Sequence, residues 1–588
     1  MVRKKRNLGY GFPDEVGKVS SKIGHSTKDK ENDWVDSLLP NFHAGLGVKF
    51  TKSPWAILPF SLICLILFFI IFLRLFHLQI VEGSVNRELA DGNRIQIKVI
   101  HAPRGVIFDR NGKILAANSP AFRLKTRLIS REEALELEVK NDPGGANLEV
   151  DNVRTYPGSE KFAHVVGYVG EISESQLKSP EYKNYHLGDR IGQTGIEAQY
   201  EKLLRGIDGG EIIEVDSAGT KIRSLRRNPP IPGQNIYLAI DASLQDKIYE
   251  QLKESLTKNG SCCGAAIAMD PTNGQILALV SLPSFDPNIF TKLIDEEAIS
   301  QLFSSKDFPI LNRAISGTYP PGSTFKIISS LAALSSGKIT PDTTVQDNGI
   351  IYLGSFKFTN WYFTEHGKTD GLVNLLKAIM RSNDIYFYYV GQTIGEQVLG
   401  DWAKKLRLGS KLDIDLPGEV SGLIPDDKWK RKNFNEVWYP GDTLHMAIGQ
   451  GFVLTTPLQI LGITSFIASD GVLYKPQLTL TNFKPNILVS NIASKDKIKL
   501  IKDGLKLVPQ AGGTAWPFFT FPIPTAGKTG TAEFGDKGKT HAWYTSFAPA
   551  DNPKIALTIL IEGGGEGSSV AAPIAKEIYR WYFSPDKN

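Results

Sequence analysis

The sequence predicts a mixed α+β protein in which one membrane-spanning helix precedes a β-rich region and a larger region with an antiparallel sheet flanked by helices. The first observation behind this prediction is a charge-free run of twenty apolar residues near the N-terminus. The others are a hairpin pattern in the first region, and strand patterns at both ends of the second region with helical patterns between them. With 588 residues, 41% of them hydrophobic, the chain needs more than one core and is not generally disordered.

The membrane-spanning helix is predicted from Pro54 to Leu73. At about 1.5 Å per residue this run crosses roughly 30 Å of hydrocarbon. It is too long for a signal peptide, and no small-residue cleavage site follows it. Residues 1–53 hold ten Lys and Arg against six Asp and Glu, which is most of the net charge of +5. The positive-inside rule therefore predicts a cytoplasmic basic tail at 1–53, an anchor at 54–80 and a single-pass cell-membrane protein whose remainder is extracytoplasmic.

Residues 81–227 form the first region beyond the anchor. The segment RGVIFDRNGKILAAN predicts a β-hairpin that turns at Asn111-Gly112, because this dipeptide favours a tight turn between two strands. NDPGGAN at 141–147 predicts a loop, and the Pro- and Gly-containing segment 228–234 predicts a linker to the second region.

The second region covers residues 235–583. LQDKIYEQLKESL predicts an amphipathic helix, and AAIAMDPTNGQILALVSLP predicts a hairpin that turns at Asn273-Gly274. Near the C-terminus, KIALTILIEGG predicts a strand and APIAKEIYRWYF a helix. The GGGEG run at 563–567 has no G-K-[ST] sequel, so it predicts a turn rather than a phosphate-binding loop.

The segment YPPGSTFKI places Ser323 three residues before Lys326. The two prolines and Gly322 predict that a helix begins here, so the hydroxyl and the amine share one helix face. A serine hydroxyl attacks only when a base removes its proton, and a desolvated lysine with a lowered pKa can be that base. Taken alone, the pair also fits a capping serine followed by a solvated lysine.

Two more motifs follow in the same region. Ser382 to Asp384 come after an apolar helical run, and Lys528 to Thr531 precede HAWYTSFAPA, which alternates as a strand does. Each motif has its own ordinary interpretation, as a polar loop or a strand turn. The order S-x-x-K, S-x-N/D, K-T-G matches the signature of penicillin-interacting serine acyl transferases, and the joint occurrence favours catalysis.

With these motifs the chain resembles the class B penicillin-binding proteins, specifically the elongation-type penicillin-binding protein 2 family of peptidoglycan D,D-transpeptidases. The resemblance extends to APRGVIFDRNGKILAAN, GYVGEIS, DRIGQTGIEAQYEKLLRG and YPGDTLHMAIGQGFVLTTPLQ. It implies a pedestal, or dimerisation, domain over 81–227 and a transpeptidase domain over 235–583. Only 35 residues separate Asn118 from Arg154, so the head insertion that is common in relatives is expected to be short here, and its functions are not expected.

The resemblance also implies a role for each motif residue. Ser323 attacks the carbonyl between the two terminal D-alanines of a stem peptide, Lys326 accepts its proton and Ser382 relays a proton to the departing amine, which leaves an acyl-enzyme. The backbone N–H groups of Ser323 and Thr531 stabilise the oxyanion. In the third motif Lys528 is implied as a catalytic residue that adds positive charge, and the substrate is bound by Thr529, Gly530 and Thr531. Asp384 stands where Asn is commoner, and an aspartate that only caps the next turn is the alternative there.

Other functions of the same fold stay open. In a D,D-carboxypeptidase or a β-lactamase, water replaces the acceptor amine, and an inert scaffold or β-lactam sensor keeps the fold alone. The single anchor, the pedestal and the GQG segment at 449–451 disfavour a secreted lactamase, a sensor would carry a multi-span region, and a scaffold would have lost part of the motif set.

The resemblance implies stem peptides, β-lactam antibiotics, the membrane and a SEDS-type glycosyltransferase with other elongation-complex proteins as partners. Nucleic acid is not expected, because the catalytic region shows no concentrated basic face.

No cofactor or metal is expected. The sequence has no Cys-x-x-Cys and no close His cluster, and Asp347 with His366 is a weak basis for a metal site. Cys262 and Cys263 are neighbours, and because adjacent cysteines close only a strained ring, we expect no structural disulfide. The third cysteine, Cys64, lies within the predicted span.

Overall fold

The computed structural model describes residues 57–124, 127–129, 131–139, 148–216, 221–291, 296–535 and 538–585. The predicted basic tail at 1–53 and the predicted loop at 141–147 lie outside these ranges. The chain divides into two compact units, one up to Leu89 and one from Ala90 onwards.

The first unit contains the predicted membrane span. Helix α1 (Ile57–Phe76) leads into a π-helical turn (His77–Val81), and helix α2 (Gly83–Arg94) follows. The segment Leu58–Val81 is long and apolar enough to cross a membrane, and its side chains are exposed rather than packed in a core. A helix that is apolar on all sides has no face suited to water. The prediction of one apolar N-terminal helix is confirmed.

The β-rich region from Ile95 to Asn228 contains three sheets. Strands β1, β8 and β9 form an antiparallel sheet, β6 pairs with β7, and β2, β3, β4 and β5 form a sheet that is extended by the short strand β10. The predicted hairpin is present, since β2 and β3 are antiparallel and Gly112 in their turn has φ 85°. The elements are β1 (Ile95–Ile100), β2 (Ile107–Phe108), β3 (Ile114–Leu124), β4 (Arg127–Ile129), α3 (Arg131–Val139), β5 (Leu148–Thr155), α4 (Ala163–Val166), β6 (Val169–Glu171), α5 (Glu174–Leu177), β7 (Arg190–Gly192), α6 (Gly195–Gln199), α7 (Glu201–Leu204), β8 (Gly209–Val215) and β9 (Lys221–Asn228).

The larger region begins at β10 and alternates helices with short hairpins before its last three long strands. Helix α13 is interrupted at Gly395, whose φ is 81°. The elements are β10 (Ile236–Tyr237), α8 (Ala242–Asn259), β11 (Gly264–Met269), β12 (Ile276–Leu282), α9 (Glu296–Ser304), α10 (Lys326–Ser336), β13 (Val345–Asp347), β14 (Ile350–Leu353), β15 (Phe356–Thr359), α11 (Trp361–His366), β16 (Gly371–Val373), α12 (Leu375–Arg381), α13 (Asp384–Lys405), α14 (Asp427–Phe434), α15 (Pro440–Ala447), α16 (Pro457–Ala468), β17 (Val472–Tyr474), β18 (Ile487–Ser490), α17 (Lys495–Leu507), β19 (Ala526–Glu533), β20 (Thr540–Ala548), β21 (Ile555–Ile561) and α18 (Ala572–Tyr582).

A five-stranded antiparallel sheet forms the centre of this region, in the order β12-β11-β21-β20-β19. Every residue of β11, β12 and β21 is buried, so the sheet is covered on both faces. Helices α8 and α18 pack against each other and against the sheet, and α16 packs against β11, β20 and β21. The prediction of an antiparallel sheet flanked by helices, with strands from both ends of the region, is confirmed.

The expectation about the adjacent cysteines is wrong, because the structure joins Cys262 to Cys263 in a disulfide. The pair lies in the short connection between α8 and β11, outside helix and strand. Backbone outside helices and strands can adopt the conformation that the small ring of a disulfide between adjacent cysteines requires. The neighbourhood of the two cysteines in the sequence does not show this freedom. The GGGEG run is a turn, as predicted, between β21 and a π-helical turn at Gly567–Ala571.

Candidate active site

Ser323 lies in a 3₁₀ turn (Gly322–Phe325) that leads directly into α10. Gly322 has φ 52°, and a Cβ atom there would lie 2.7 Å from the carbonyl oxygen of Thr531 on β19. A glycine is therefore required where the serine turn approaches the strand. The turn is fixed from its other side by Trp543, whose Nε1 donates to the carbonyl oxygen of Pro320 at 3.0 Å. Ser323 is consequently held against the edge strand of the central sheet.

The Lys326 ammonium group is buried at the first position of α10. Its Nζ donates to the carbonyl oxygen of Ser382 at 2.7 Å, to Oδ1 of Asp384 at 2.7 Å and to the hydroxyl of Ser382 at 3.3 Å. No side-chain hydrogen bond to Ser323 occurs among the described residues. Catalytic hydrogen bonds are often longer before substrate binds, so this geometry is compatible with a base that engages Ser323 later.

The second motif forms the turn between α12 and α13. Ser382 has the uncommon φ of 53°, and the side chain of Asn383 caps α13 by accepting from the backbone N–H of Tyr386 at 3.0 Å. Asp384 does not cap this helix, so the alternative of a purely capping aspartate does not hold. Its carboxylate instead binds Lys326 through Oδ1 and accepts from the backbone N–H of Trp361 through Oδ2 at 3.1 Å.

The third motif lies on β19, which ends the central sheet. Lys528 is fully buried, and its Nζ donates to the Ser382 hydroxyl at 2.8 Å and to the carbonyl oxygen of Thr529 at 3.0 Å. Thr529 bonds to Thr514 through their hydroxyls at 2.7 Å, whereas Thr531 is exposed. On one side β19 pairs with β20, and among the described strands none pairs with its other side. That side is available to an extended peptide.

The three motifs therefore meet at one hydroxyl. Ser382 Oγ accepts hydrogen bonds from both Lys326 and Lys528, so its own O–H is left to donate elsewhere. Burial lowers the pKa of Lys326, and the Asp384 carboxylate opposes this shift. Burial also places the pKa of Lys528 well below its ordinary value, and the Lys326 cation lowers it further. Lys326 and Lys528 are therefore buried amines with lowered pKa values, and the Ser382 hydroxyl connects them. This arrangement forms a path along which a proton can move.

Asp384→Asn is expected to shift the pH dependence of serine acylation towards lower pH. The carboxylate raises the pKa of Lys326, so its removal favours the neutral amine at a lower pH. We expect the rising limb of the plot of acylation rate against pH to lie at lower pH than in the wild type. The check is the rate of acylation by a β-lactam from pH 5 to 10. An unchanged limb would mean that Asp384 does not control the base.

Asp347 and His366, a weak basis for a metal site in the sequence, do not belong to a cluster of metal-ligand side chains among the described residues. Asp347 is buried and fully used by hydrogen bonds, and His366 lies 3.8 Å from the carboxylate of Glu365. In the part of the chain that the structure describes, the one cluster of three ligand-type side chains consists of Cys262, Cys263 and Glu562, and its two thiols form the disulfide. That this protein needs no metal stays a prediction.

Two supporting residues could not be found from the motif search alone. Asn360 Oδ1 accepts the backbone N–H of Asp384 at 3.1 Å, and Trp361 supplies the N–H that reaches the Asp384 carboxylate. Both lie more than twenty residues before the second motif, where Asn360 follows β15 and Trp361 is the first residue of α11. The run of short strands there carries no sequence signal that marks either residue.

Comparison with known proteins places this geometry in a family. Residues 264–580 match the family described as penicillin binding protein transpeptidase domain, and residues 124–238 match the penicillin-binding protein dimerisation domain. The chain is 32% identical to peptidoglycan D,D-transpeptidase MrdA of Acinetobacter baumannii, over 88% of this chain and 85% of the relative. It is also 32% identical to MrdA of Escherichia coli K12, over 84% of this chain and 89% of that relative.

This chain is an elongation-type class B penicillin-binding protein.

Solved structures of penicillin-binding proteins have the same fold. Pseudomonas aeruginosa PBP2 in complex with WCK 5153 gives a TM-score of 0.68 at 35% identity, covering 83% of this chain and 97% of that one. The complex of PBP2 and MreC from Helicobacter pylori gives a TM-score of 0.71 at 30% identity, covering 83% and 98%. A peptidoglycan synthase complex gives a TM-score of 0.72 at 31% identity, covering 90% and 99%.

This penicillin-binding protein is a serine-type D-Ala-D-Ala transpeptidase that cross-links peptidoglycan stem peptides during cell elongation. The similarity runs through both domains and does not favour the carboxypeptidase, β-lactamase or scaffold alternatives. Its single apolar N-terminal helix anchors it to the membrane.

Proposed function

We propose that Ser323 is the nucleophile of this transpeptidase and that Lys326, Ser382, Asp384 and Lys528 are its proton-handling residues. The observation that carries the proposal is the convergence of two buried lysines on the Ser382 hydroxyl, beside the serine turn. Lys326 accepts the Ser323 proton as Oγ forms its bond to the carbonyl carbon of the penultimate D-alanine. This step makes Lys326 a cation, which the Asp384 carboxylate holds in position.

The tetrahedral intermediate then collapses with cleavage of the bond to the terminal D-alanine. The proton held by Lys326 reaches the departing amine through Ser382, which donates its own hydroxyl proton and accepts another from the lysines. The backbone N–H groups of Ser323 and Thr531 stabilise the oxyanion, and the closeness of Gly322 to Thr531 supports this pairing. The acyl-enzyme that remains is attacked by an amine of a second stem peptide, and Ser323 recovers its proton.

The edge strand β19 binds the donor peptide. Its free side offers backbone groups to an extended peptide, as in other cases of strand addition. The terminal carboxylate is met by the third motif, in which Lys528 supplies positive charge and Thr529, Gly530 and Thr531 supply hydroxyl and backbone donors. A β-lactam presents a carboxylate beside a reactive carbonyl, so we propose that it acylates Ser323 in the same position.

We further propose the orientation and the partners of the chain. The excess of Lys and Arg in 1–53 supports a cytoplasmic N-terminus and an extracytoplasmic catalytic domain. The Helicobacter pylori PBP2 binds MreC, and another neighbour belongs to a peptidoglycan synthase complex, which supports elongation-complex partners and a SEDS-type glycosyltransferase for this chain. The domain limits proposed with this arrangement are 1–53, 54–80, 81–227 and 235–583.

The test of the function uses the full-length protein in detergent and uncross-linked glycan strands with pentapeptide stems. Cross-linked stem dimers are expected to form together with about one D-alanine released per cross-link. Release of D-alanine without dimers would contradict the proposal in favour of a carboxypeptidase. Rapid turnover of penicillin would indicate a lactamase, and a folded protein without either activity would indicate a scaffold.

A further inference from the structure

A buried carboxylate that the mechanism does not use lies directly behind the second motif. Asp347, at the end of β13, has 1% of its surface exposed. A desolvated carboxylate is stable only when donors surround it. Its Oδ1 accepts from Gly349 N at 2.7 Å, and its Oδ2 accepts from Asn360 Nδ2 at 2.9 Å, Asp370 N at 2.9 Å and Asn383 Nδ2 at 2.8 Å. Asp347 is therefore the centre of a fully formed polar cluster.

Asp347 orients two amide side chains in the same way. Each amide gives its NH₂ group to the carboxylate, which fixes where its oxygen points, and the Asn383 NH₂ group also donates to Oδ2 of Asp370 at 3.1 Å. The Asn383 oxygen accepts the backbone N–H of Tyr386 at 3.0 Å, and the Asn360 oxygen accepts the backbone N–H of Asp384 at 3.1 Å. Both amides thus connect Asp347 to the backbone of the turn that carries the second motif.

This turn needs support from its surroundings. Ser382 has φ 53°, a conformation that residues with a side chain rarely adopt and that persists only where neighbouring groups impose it. The turn also has to hold its groups against two lysines, since Ser382 Oγ accepts from Lys326 and Lys528. A shift of the turn would move this hydroxyl and the Asp384 carboxylate away from both amines.

We propose that Asp347 is a positioning residue for the transpeptidase reaction, because its carboxylate orients Asn360 and Asn383 and thereby fixes the turn that presents Ser382 and Asp384 to Lys326. The inference rests on the roles proposed above for Ser382, Asp384 and Lys326. A residue that only stabilised the domain would change thermal stability without a selective effect on acylation.

The test substitutes Asp347→Asn in the full-length protein in detergent. The new amide offers only a neutral, weaker oxygen to the three donors on the Oδ2 side and turns its NH₂ group towards the backbone N–H of Gly349, so the bonds that orient the two asparagines weaken. With a chromogenic cephalosporin as the probe, we expect the acylation rate constant to fall about 30- to 100-fold while the dissociation constant of the non-covalent complex changes less than about threefold. The adduct that does form is still expected on Ser323.

Glu419→Gln is the matched control. Glu419 is likewise a buried carboxylate of this domain, and it accepts from the backbone N–H groups of Leu412 and Ile414 rather than from the second motif. The substitution Glu419→Gln is expected to lower the melting temperature and to leave the acylation rate constant unchanged.

Several outcomes would overturn the inference. These are a wild-type acylation rate constant in Asp347→Asn, or a loss of the acylation rate constant in Glu419→Gln as large as in Asp347→Asn at the same loss of melting temperature. If Asp347→Asn does not fold, Asn360→Ala provides the test, since it keeps Asp347 and removes the acceptor for the Asp384 N–H. A wild-type rate in Asn360→Ala would also overturn it. Absence of acylation in the wild type would instead refute the proposed site itself.

Discussion

Ser323→Ala is expected to abolish stem-peptide cross-linking and to leave a folded protein that a β-lactam cannot acylate. The Thr324 hydroxyl in the same turn donates to the carbonyl oxygen of Pro321, and the Ser382 hydroxyl is bound by both lysines, so we expect neither to take over the attack. The loss should reach about 10⁴-fold or more, which corresponds to about 5 kcal/mol of transition-state stabilisation. The measurements are dimer formation on glycan strands and labelling by a fluorescent penicillin.

The control for this variant is Ser316→Ala. Ser316 lies in the same connection and donates to the carbonyl oxygen of Gly418 at 2.6 Å, outside the three motifs. It should cross-link and label like the wild type. Residual cross-linking above about a thousandth of the wild-type rate in Ser323→Ala would show that another nucleophile is present.

Lys326→Met is expected to lower the acylation rate about 10³-fold, in the range that removal of a general base produces. Methionine fills the buried space but leaves Ser323 without a proton acceptor. It also leaves the Asp384 carboxylate without the cation that lies 2.7 Å away, so a lower melting temperature is expected as well. The rate is measured with a chromogenic cephalosporin under single-turnover conditions.

Lys326→Arg separates the two effects of that change. Arginine keeps a cation beside Asp384 but does not lose its proton at any accessible pH. It should retain more thermal stability than methionine and lose the acylation rate to a similar extent. An arginine variant that acylated at the wild-type rate would assign the base to Lys528 or another group. The double variant Ser323→Ala with Lys326→Met should be no worse than Ser323→Ala alone, because the residues act as one unit.

The fold was predictable wherever the pattern was local. The turn at Asn111-Gly112, helix α8 and strands β20 and β21 follow from dipeptide preference and hydrophobic periodicity, and the structure has them where the sequence predicts them. The sheet order β12-β11-β21-β20-β19 depends on contacts between the two ends of the domain, which no local pattern records. The Cys262–Cys263 disulfide was missed because it depends on the backbone of one irregular connection.

The candidate site divides in the same way. Spacing alone brings Ser323 and Lys326 to one turn, and the motif order names Ser382 and Lys528. The sequence could not show that both lysines reach one hydroxyl, since these residues lie up to about two hundred positions apart and meet only through packing of α10, α13 and β19. Nor could the sequence show that Asp347, which is a weak basis for a metal site, accepts four hydrogen bonds behind the turn that carries the second motif.

Peptide mapping of the full-length protein after brief penicillin treatment identifies the residue that carries the acyl group. Trypsin releases residues 314–326, AISGTYPPGSTFK, which contain Ser316 and Ser323 as separate candidates. We expect one penicillin adduct on this peptide, with fragment ions that place it on Ser323, stable for many minutes before release. An adduct on any other residue, or no adduct on a protein that is still folded after the treatment, would contradict Ser323 as the nucleophile.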